Sequence, residues 1–90
     1  MSVPITRTAR IVNSKGLHAR AAAKFCKTAE LFNAKVLVSR GDLKVSSCSI
    51  MGLLMLAAAP GTEITLTASG EEAQRAIDTI CQLIEDGFNE

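Results

Sequence analysis

Hydrophobic and polar residues recur with two different periods along the chain, and these periods predict its strands and helices. Alternation with a period of two, rich in β-branched residues, predicts strands over residues 5–12, 35–40, 43–48 and 63–69. Apolar residues three and four apart predict helices over residues 18–32 and 49–58, and a third helix that opens with a capping box at residues 69–72. The order β-α-β-β-α-β-α favours a two-layer sandwich with the helices on one face of a small sheet.

Two of the predicted helices carry one apolar stripe, which we expect to pack against the sheet. In the first helix the stripe comprises Ala22, Phe25, Cys26, Ala29 and Phe32. In the last helix it comprises Ala73, Ala76, Ile77, Ile80 and Ile84, with Cys81 and Phe88 beside it. Lys24 and Lys27 lie off the first stripe, so we expect both to be solvated and able to guide an acidic partner surface.

The middle helix is short and apolar nearly all round. If Leu53 and Leu56 point towards the core, then Ile50, Met51 and Leu54 point outward. An exposed apolar face of this kind favours a docking site for a partner, and methionine suits a surface that meets several partners. The alternative is a helix that is buried on both sides.

The composition fits one small globular domain over residues 1–90. Hydrophobic residues make up 48% of the chain and charged residues 21%, which suits a compact soluble protein. A net charge of +1 and the absence of tryptophan and tyrosine argue against a nucleic-acid interface. No apolar run approaches the roughly 20 residues needed to span a bilayer, and no signal peptide precedes the first strand. We therefore expect a cytoplasmic protein with no membrane partner.

The three cysteines are an odd number and show no Cys-x-x-Cys spacing. We expect Cys26, Cys48 and Cys81 to act as small apolar residues in a reducing cytosol, rather than as disulfides or metal ligands. The sequence thus predicts neither a metal site nor a bound cofactor.

The candidate chemistry lies in residues 15–20 (KGLHAR), where the first strand gives way to the first helix. His18 is the only histidine in the chain, and it falls at the first position of the predicted helix. The unpaired amides of Ala19 and Arg20 would carry the positive end of the helix dipole, which attracts anions and favours a neutral, nucleophilic imidazole. Arg20 adds a planar fork of donors that suits phosphate oxygens. The alternative is that His18 merely caps the helix.

Residues 16–20 (GLHAR) and 49–54 (SIMGLL) resemble the two signatures of the HPr family, the phosphocarrier proteins of the bacterial phosphotransferase system. The resemblance implies an open-faced sandwich with an antiparallel sheet of order 1-4-2-3 and three helices. It implies that His18 takes a phosphoryl group on Nδ1 from enzyme I and passes it to an EIIA-type acceptor. Arg20 would match the active-centre arginine, and Ser49 the serine that HPr kinase/phosphorylase modifies in some members.

Two residues depart from the pattern of many family members. Ala21 replaces a proline, which leaves the first helical turn one more amide. Cys48 replaces a lysine before Ser49, which weakens the expectation of a serine kinase. Residues 52–56 and 87–90 look more like the nitrogen-related branch, often called NPr.

These observations favour a monomeric phosphoryl carrier that forms a phosphohistidine, rather than a free-standing enzyme. Besides His18 and Arg20, no base, metal cluster or phosphate-binding glycine loop is evident in the sequence. The alternative is a small α/β regulatory or protein-interaction module without phosphoryl transfer. Such a module would account for the apolar helix, but it would not need His18 and Arg20 at a helix start.

Overall fold

The computed structural model of the chain describes residues 3–90 and contains a four-stranded antiparallel sheet. Its strands are β1 (Ile5–Arg10), β2 (Lys35–Arg40), β3 (Leu43–Ser46) and β4 (Glu63–Ser69). The order across the sheet is β1-β4-β2-β3, which confirms the order implied by the family resemblance. β1 ends two residues before its predicted end because its partner β4 begins at Glu63, opposite Arg10. β3 also ends two residues early, because Ser47 and Cys48 form the turn into the next helix.

Three helices cover one face of the sheet and confirm the predicted α+β architecture. They are α1 (Ala19–Glu30), α2 (Ile50–Met55) and α3 (Ala73–Glu85), and a short 3-10 turn follows at Gly87–Asn89. α3 packs on β1, β4 and β2, and α1 lies against α2 and α3. No helix within residues 3–90 is both long and apolar enough to cross a membrane.

The predicted capping box at the start of α3 is wrong. The N-cap position is Glu72, and its side chain makes no capping hydrogen bond. The Glu72 carboxylate instead accepts a hydrogen bond of 2.8 Å from the backbone N–H of Asn33, which follows α1. Glu72 therefore joins two loops, and α3 begins after the predicted box.

The core lies between the sheet and the helices, where the predicted apolar stripes meet. Along β4 the inward residues Ile64, Leu66 and Ala68 are buried, and they alternate with half-buried or exposed polar residues. The predicted stripes of α1 and α3 are also buried, except that Phe32 is only partly buried at the edge of the core. Phe25 and Phe88 are the largest fully buried side chains.

The helix α2 presents the outward face that its sequence predicts. Leu53 and Leu56 are buried, whereas the exposed fractions are 42% for Ile50, 71% for Met51 and 36% for Leu54. We call Ile50, Met51 and Leu54 the α2 patch. Met55, which follows it, is also exposed.

A close backbone approach connects the turn before α1 to the segment after α2. The N–H of Leu17 donates a hydrogen bond of 2.9 Å to the carbonyl oxygen of Ala58. Gly16 has a φ of +68°, and a Cβ atom there would lie only 2.6 Å from that same oxygen. Glycine is thus required at residue 16 both for its backbone conformation and for the contact.

The substitution Gly16→Ala should destabilise the protein more than Gly41→Ala does. Both glycines have positive φ, but a Cβ at Gly41 meets nothing within 4 Å. We expect a loss of about 1 kcal/mol for Gly41→Ala and of about 2–4 kcal/mol for Gly16→Ala, because only the second adds a backbone clash. Urea unfolding of both variants measures the difference, and equal losses would contradict the proposed role of the Gly16–Ala58 contact.

Candidate functional site

His18 occupies the N-cap position of α1, one residue before the position predicted for it. Its backbone is extended, with φ −85° and ψ −178°, and its carbonyl oxygen accepts the first helical hydrogen bond, from Ala22, at 2.8 Å. Its Nδ1 atom accepts a hydrogen bond of 3.3 Å from the backbone N–H of Arg20. The predicted N-terminal amides are therefore next to the ring, and the ring itself serves as a cap.

The other ring nitrogen of His18 contacts a residue that the sequence analysis did not select. Nε2 pairs with the side-chain carboxylate of Glu90. The two side chains are 27% and 23% exposed, so water reaches both of them only partly. The hydrogen bond to His18 lowers the pKa of the Glu90 carboxyl below its ordinary value, against a smaller opposing effect of burial.

These two contacts assign the tautomer of the neutral imidazole. Nδ1 accepts a hydrogen bond from an N–H group, so it bears a lone pair. Nε2 then bears the proton, which it donates to Glu90. The arrangement leaves Nδ1 as the nucleophilic nitrogen, and the carboxylate can balance positive charge that develops on the ring.

The C-terminal 3-10 turn brings Glu90 to the ring. Phe88 is fully buried and adopts a left-handed backbone conformation, which reverses the chain after α3. The ammonium group of Lys24 donates a hydrogen bond of 2.6 Å to the carbonyl oxygen of Phe88. Lys24 is half-buried by this contact, so the expectation that it is solvated is wrong, and the contact engages the ammonium group that was expected to guide a partner. Lys27 is exposed as predicted.

Glu90 could not be found from local sequence patterns because it is 72 positions away from His18. A carboxylate at the end of a helix is ordinarily solvated, and no spacing rule connects it to a distant loop. The one available signal is Phe88, whose burial beside the α3 stripe was expected and which fixes the direction of the last residues.

Arg20 is exposed and lies on the first turn of α1. Among residues 3–90, no carboxylate forms an ion pair with its guanidinium group. The backbone amides of Ala19, Arg20 and Ala21 precede the first intrahelical hydrogen bond, so helix geometry leaves them without helical partners. Together they form a positive environment on the Nδ1 side of His18.

An open cleft of about 320 Å³ is lined in part by Glu90. Its lining also includes the acidic residues Glu85 and Asp86. Three negative groups repel a phosphate dianion, so the cleft is unsuited to hold one. The charges therefore favour the Arg20 side of the imidazole for a phosphoryl group.

The second predicted site lies at the start of α2. Ser49 is the N-cap residue, and its Oγ accepts a hydrogen bond of 3.0 Å from the N–H of Gly52. The α2 patch follows directly, and the segment after α2 is bonded to Leu17, next to His18. The exposed apolar surface and the candidate histidine are thus on directly connected parts of the fold.

The residues 3–90 contain one group of three side chains whose ligand atoms are close enough to hold a metal ion. It consists of Cys26, Glu30 and Cys48, and it does not include His18. The histidine site therefore has the groups for acid–base and nucleophilic chemistry but no cluster of metal ligands within the described chain.

Comparisons with a family model, with related sequences and with solved structures all point to one family of proteins. A family model described as "PTS HPr component phosphorylation site" matches residues 5–86. The phosphocarrier protein NPr of Shewanella violacea is 42% identical over 86 residues, which are 96% of this chain and 94% of that protein. The phosphocarrier protein HPr of Neisseria meningitidis serogroup A is 43% identical, with coverage of 96% and 97%. The crystal structure of HPr-C-His from Thermoanaerobacter tengcongensis has a TM-score of 0.91 at 38% identity, with coverage of 96% and 97%.

The substitution His18→Ala should raise the pKa of the Glu90 carboxyl towards its ordinary value. In the wild type the bonded carboxyl has a lowered pKa, so the contact stabilises the fold at pH values above the ordinary glutamate pKa. That stabilisation is lost as the pH falls through the lowered pKa. NMR titration of the Glu90 side chain measures the shift, with the exposed Lys27→Ala as control. An unchanged Glu90 pKa in His18→Ala would show that the contact does not form in solution.

Proposed function

Since the chain belongs to the HPr family of phosphocarrier proteins, we propose that His18 is the residue on which it carries the phosphoryl group. Phosphoryl transfer in the phosphotransferase system is the role of the family, and this chain is a phosphocarrier of that system. The observation that supports His18 is the orientation of its ring, with Nδ1 at the Arg20 amide and Nε2 at the Glu90 carboxylate.

The proposed step is a displacement at phosphorus by Nδ1. Its lone pair forms a bond to the phosphorus atom while the bond to the donor breaks, and the electron pair of that bond leaves with the donor. The Nε2 proton stays in place, so the ring becomes positively charged and the nearby carboxylate of Glu90 balances that charge. Positioning and charge stabilisation supply most of the catalysis in phosphoryl transfer, and the partner enzymes would provide the remaining groups.

Arg20 and the first amides of α1 would stabilise the phosphoryl oxygens. When Nδ1 bonds to phosphorus, the Arg20 N–H loses its ring acceptor and can donate to a phosphoryl oxygen instead. The guanidinium group is exposed and can follow the phosphoryl group during transfer. A carrier must release its cargo, and a half-exposed helix end with one arginine provides a moderate rather than a tight anion site.

The family implies partners from the phosphotransferase system, such as enzyme I and EIIA proteins. We infer that a cognate enzyme I is the donor and that an EIIA-type protein is the acceptor, with the carrier acting as a monomer in the cytoplasm. The relatives named NPr and HPr are 42% and 43% identical to this chain, so the overall identity favours neither branch. Residues 52–56 and 87–90 support the nitrogen-related branch.

The α2 patch is the proposed docking surface for both donor and acceptor. It is exposed, apolar and connected to the histidine loop through the Leu17–Ala58 hydrogen bond. Lys27, which is exposed on α1, would meet an acidic rim of the partner. Lys24 has no part in this proposal because it holds the terminal turn.

Ser49 is proposed as a regulatory phosphorylation site at the rim of the α2 patch. A phosphoserine adds about two negative charges next to Ile50 and Met51, which would disfavour apolar docking without unfolding the helix. Its acceptor oxygens can replace the present cap to the Gly52 amide. The responsible enzyme would be an HPr kinase/phosphorylase, although Cys48 replaces the lysine of many family members.

Incubation with cognate enzyme I and labelled phosphoenolpyruvate should give an acid-labile, base-stable label on the wild type and none on His18→Ala. Arg20→Lys should still accept the label, but at least about tenfold more slowly, because an ammonium group lacks the planar fork. Scintillation counting after gel separation measures both. Label that persists in a folded His18→Ala variant would assign the phosphoryl group to another residue.

Leu54→Glu should slow phosphoryl transfer by about tenfold or more without unfolding the protein, because it places a charge in the α2 patch. Leu31→Glu is the matched control, since Leu31 is exposed at the end of α1, outside the patch. Rapid-quench kinetics with enzyme I compare the two variants. Equal rates in both would exclude the patch as the docking surface.

Ser49→Asp should likewise impair acceptance of phosphate from enzyme I, while its unfolding transition stays close to that of the wild type. Thr79→Asp adds the same charge at an exposed position on α3 and should transfer at the wild-type rate. The same kinetic assay, with circular dichroism as the folding control, tests this. Wild-type kinetics for Ser49→Asp would argue against regulation at this serine.

A further inference from the structure

Two cysteines that are 22 positions apart in the sequence, Cys26 and Cys48, come together with a carboxylate of α1. Cys26 is buried on α1, and Glu30 follows one helical turn later. Cys48 is exposed in the turn that leads to Ser49. The two Sγ atoms and a Glu30 oxygen all lie within 4.8 Å of one another. The distance from Cys26 Sγ to Glu30 Oε1 is 3.2 Å.

We propose that Cys26, Glu30 and Cys48 form a binding site for a thiophilic divalent cation, with Zn²⁺ as the natural candidate. Zinc takes cysteine sulfur at about 2.3 Å and carboxylate oxygen at about 2.0–2.2 Å in tetrahedral geometry. Those bond lengths place neighbouring ligand atoms about 3.6–3.8 Å apart. The three atoms here need only small side-chain rotations to reach that spacing.

When ionised, Cys26, Glu30 and Cys48 carry negative charge that no neighbouring cationic side chain neutralises in the described part of the chain. Burial, together with the hydrogen bond and charge of Glu30, raises the pKa of the Cys26 thiol to about 11. Within residues 3–90, no lysine or arginine forms an ion pair with Glu30. A divalent cation would displace the thiol protons on binding, and its charge would then compensate the two thiolates and the carboxylate.

A disulfide between Cys26 and Cys48 is the less favoured outcome. Its formation needs a two-electron oxidant, which the reducing cytosol expected for this protein does not supply, whereas cation binding needs only the release of the thiol protons. A disulfide would also leave Glu30 without a role in the cluster. With three protein ligands, a metal ion would keep a fourth position for water on the exposed Cys48 side.

A bound ion would join α1 to the segment that leads into α2. Cys48 directly precedes Ser49, the N-cap of α2, and the α2 patch follows. Holding Cys48 would therefore restrict the serine and the apolar surface used for docking. This effect is separate from the phosphoryl chemistry of His18, which is not among the ligands.

Titration of the full-length, metal-free, reduced protein with Co²⁺ and Zn²⁺ tests the proposal. Co²⁺ should give a saturable 1:1 thiolate-to-metal charge-transfer band, which Zn²⁺ abolishes by displacement. Zinc at roughly ten times its dissociation constant should raise the unfolding temperature by about 5–10 °C. A cation bound at His18 and Glu90 would give no thiolate band, so His18→Ala should retain the signal.

Variants of the ligands distinguish a metal site formed by all three side chains from incidental binding of metal to single thiols. Cys48→Ser changes an exposed residue and should abolish the band without loss of folding, and Glu30→Gln should weaken binding by at least about tenfold. Cys81→Ser is the matched control, since Cys81 is a cysteine outside the cluster. Wild-type affinity in Cys48→Ser would overturn the proposal, as would absence of 1:1 binding in the reduced wild type. A protein mass lower by two hydrogen atoms, with no metal uptake, would show that Cys26 and Cys48 form a disulfide and would overturn the metal site.

Discussion

The proposed phosphoryl chemistry depends on how one imidazole ring, that of His18, is held between an amide and a carboxylate. The Arg20 N–H points at Nδ1 of His18, and Glu90 accepts from Nε2. The cap contact fixes the lone pair on Nδ1, and the carboxylate holds the protonated Nε2 and can balance charge on the ring. Together they place the proton on Nε2 and a lone pair on Nδ1, facing the first amides of a helix.

The rest of the fold supports this arrangement from two directions. The glycine turn before α1 is held by the Leu17–Ala58 hydrogen bond, which also brings the segment after α2 beside the histidine. The terminal turn is held by the buried Phe88 ring and by Lys24, which donates to the Phe88 carbonyl oxygen. The site is thus assembled from both ends of the chain around a common core.

Local patterns in the sequence account for the sheet, the helices and the helix-start part of the site. The alternation along β4 and the stripes of α1 and α3 predicted which residues are buried, because burial follows from strand and helix periods. The order of the strands came from the family resemblance rather than from the pattern. The sequence did not predict the contacts of Lys24, Glu72 and Glu90. Each of these residues has a partner 39 or more positions away, and helix or strand periodicity carries no information about such distant contacts.

The site of phosphoryl attachment on the ring tests this account most directly. NMR spectra of the phosphorylated, ¹⁵N-labelled protein can detect the ³¹P–¹⁵N coupling and the proton on the other ring nitrogen. If Nδ1 is the nucleophile, the coupling is to Nδ1 of His18, and a proton is retained on Nε2 next to Glu90. Coupling to Nε2, or a phosphoryl group on any residue other than His18, would contradict it.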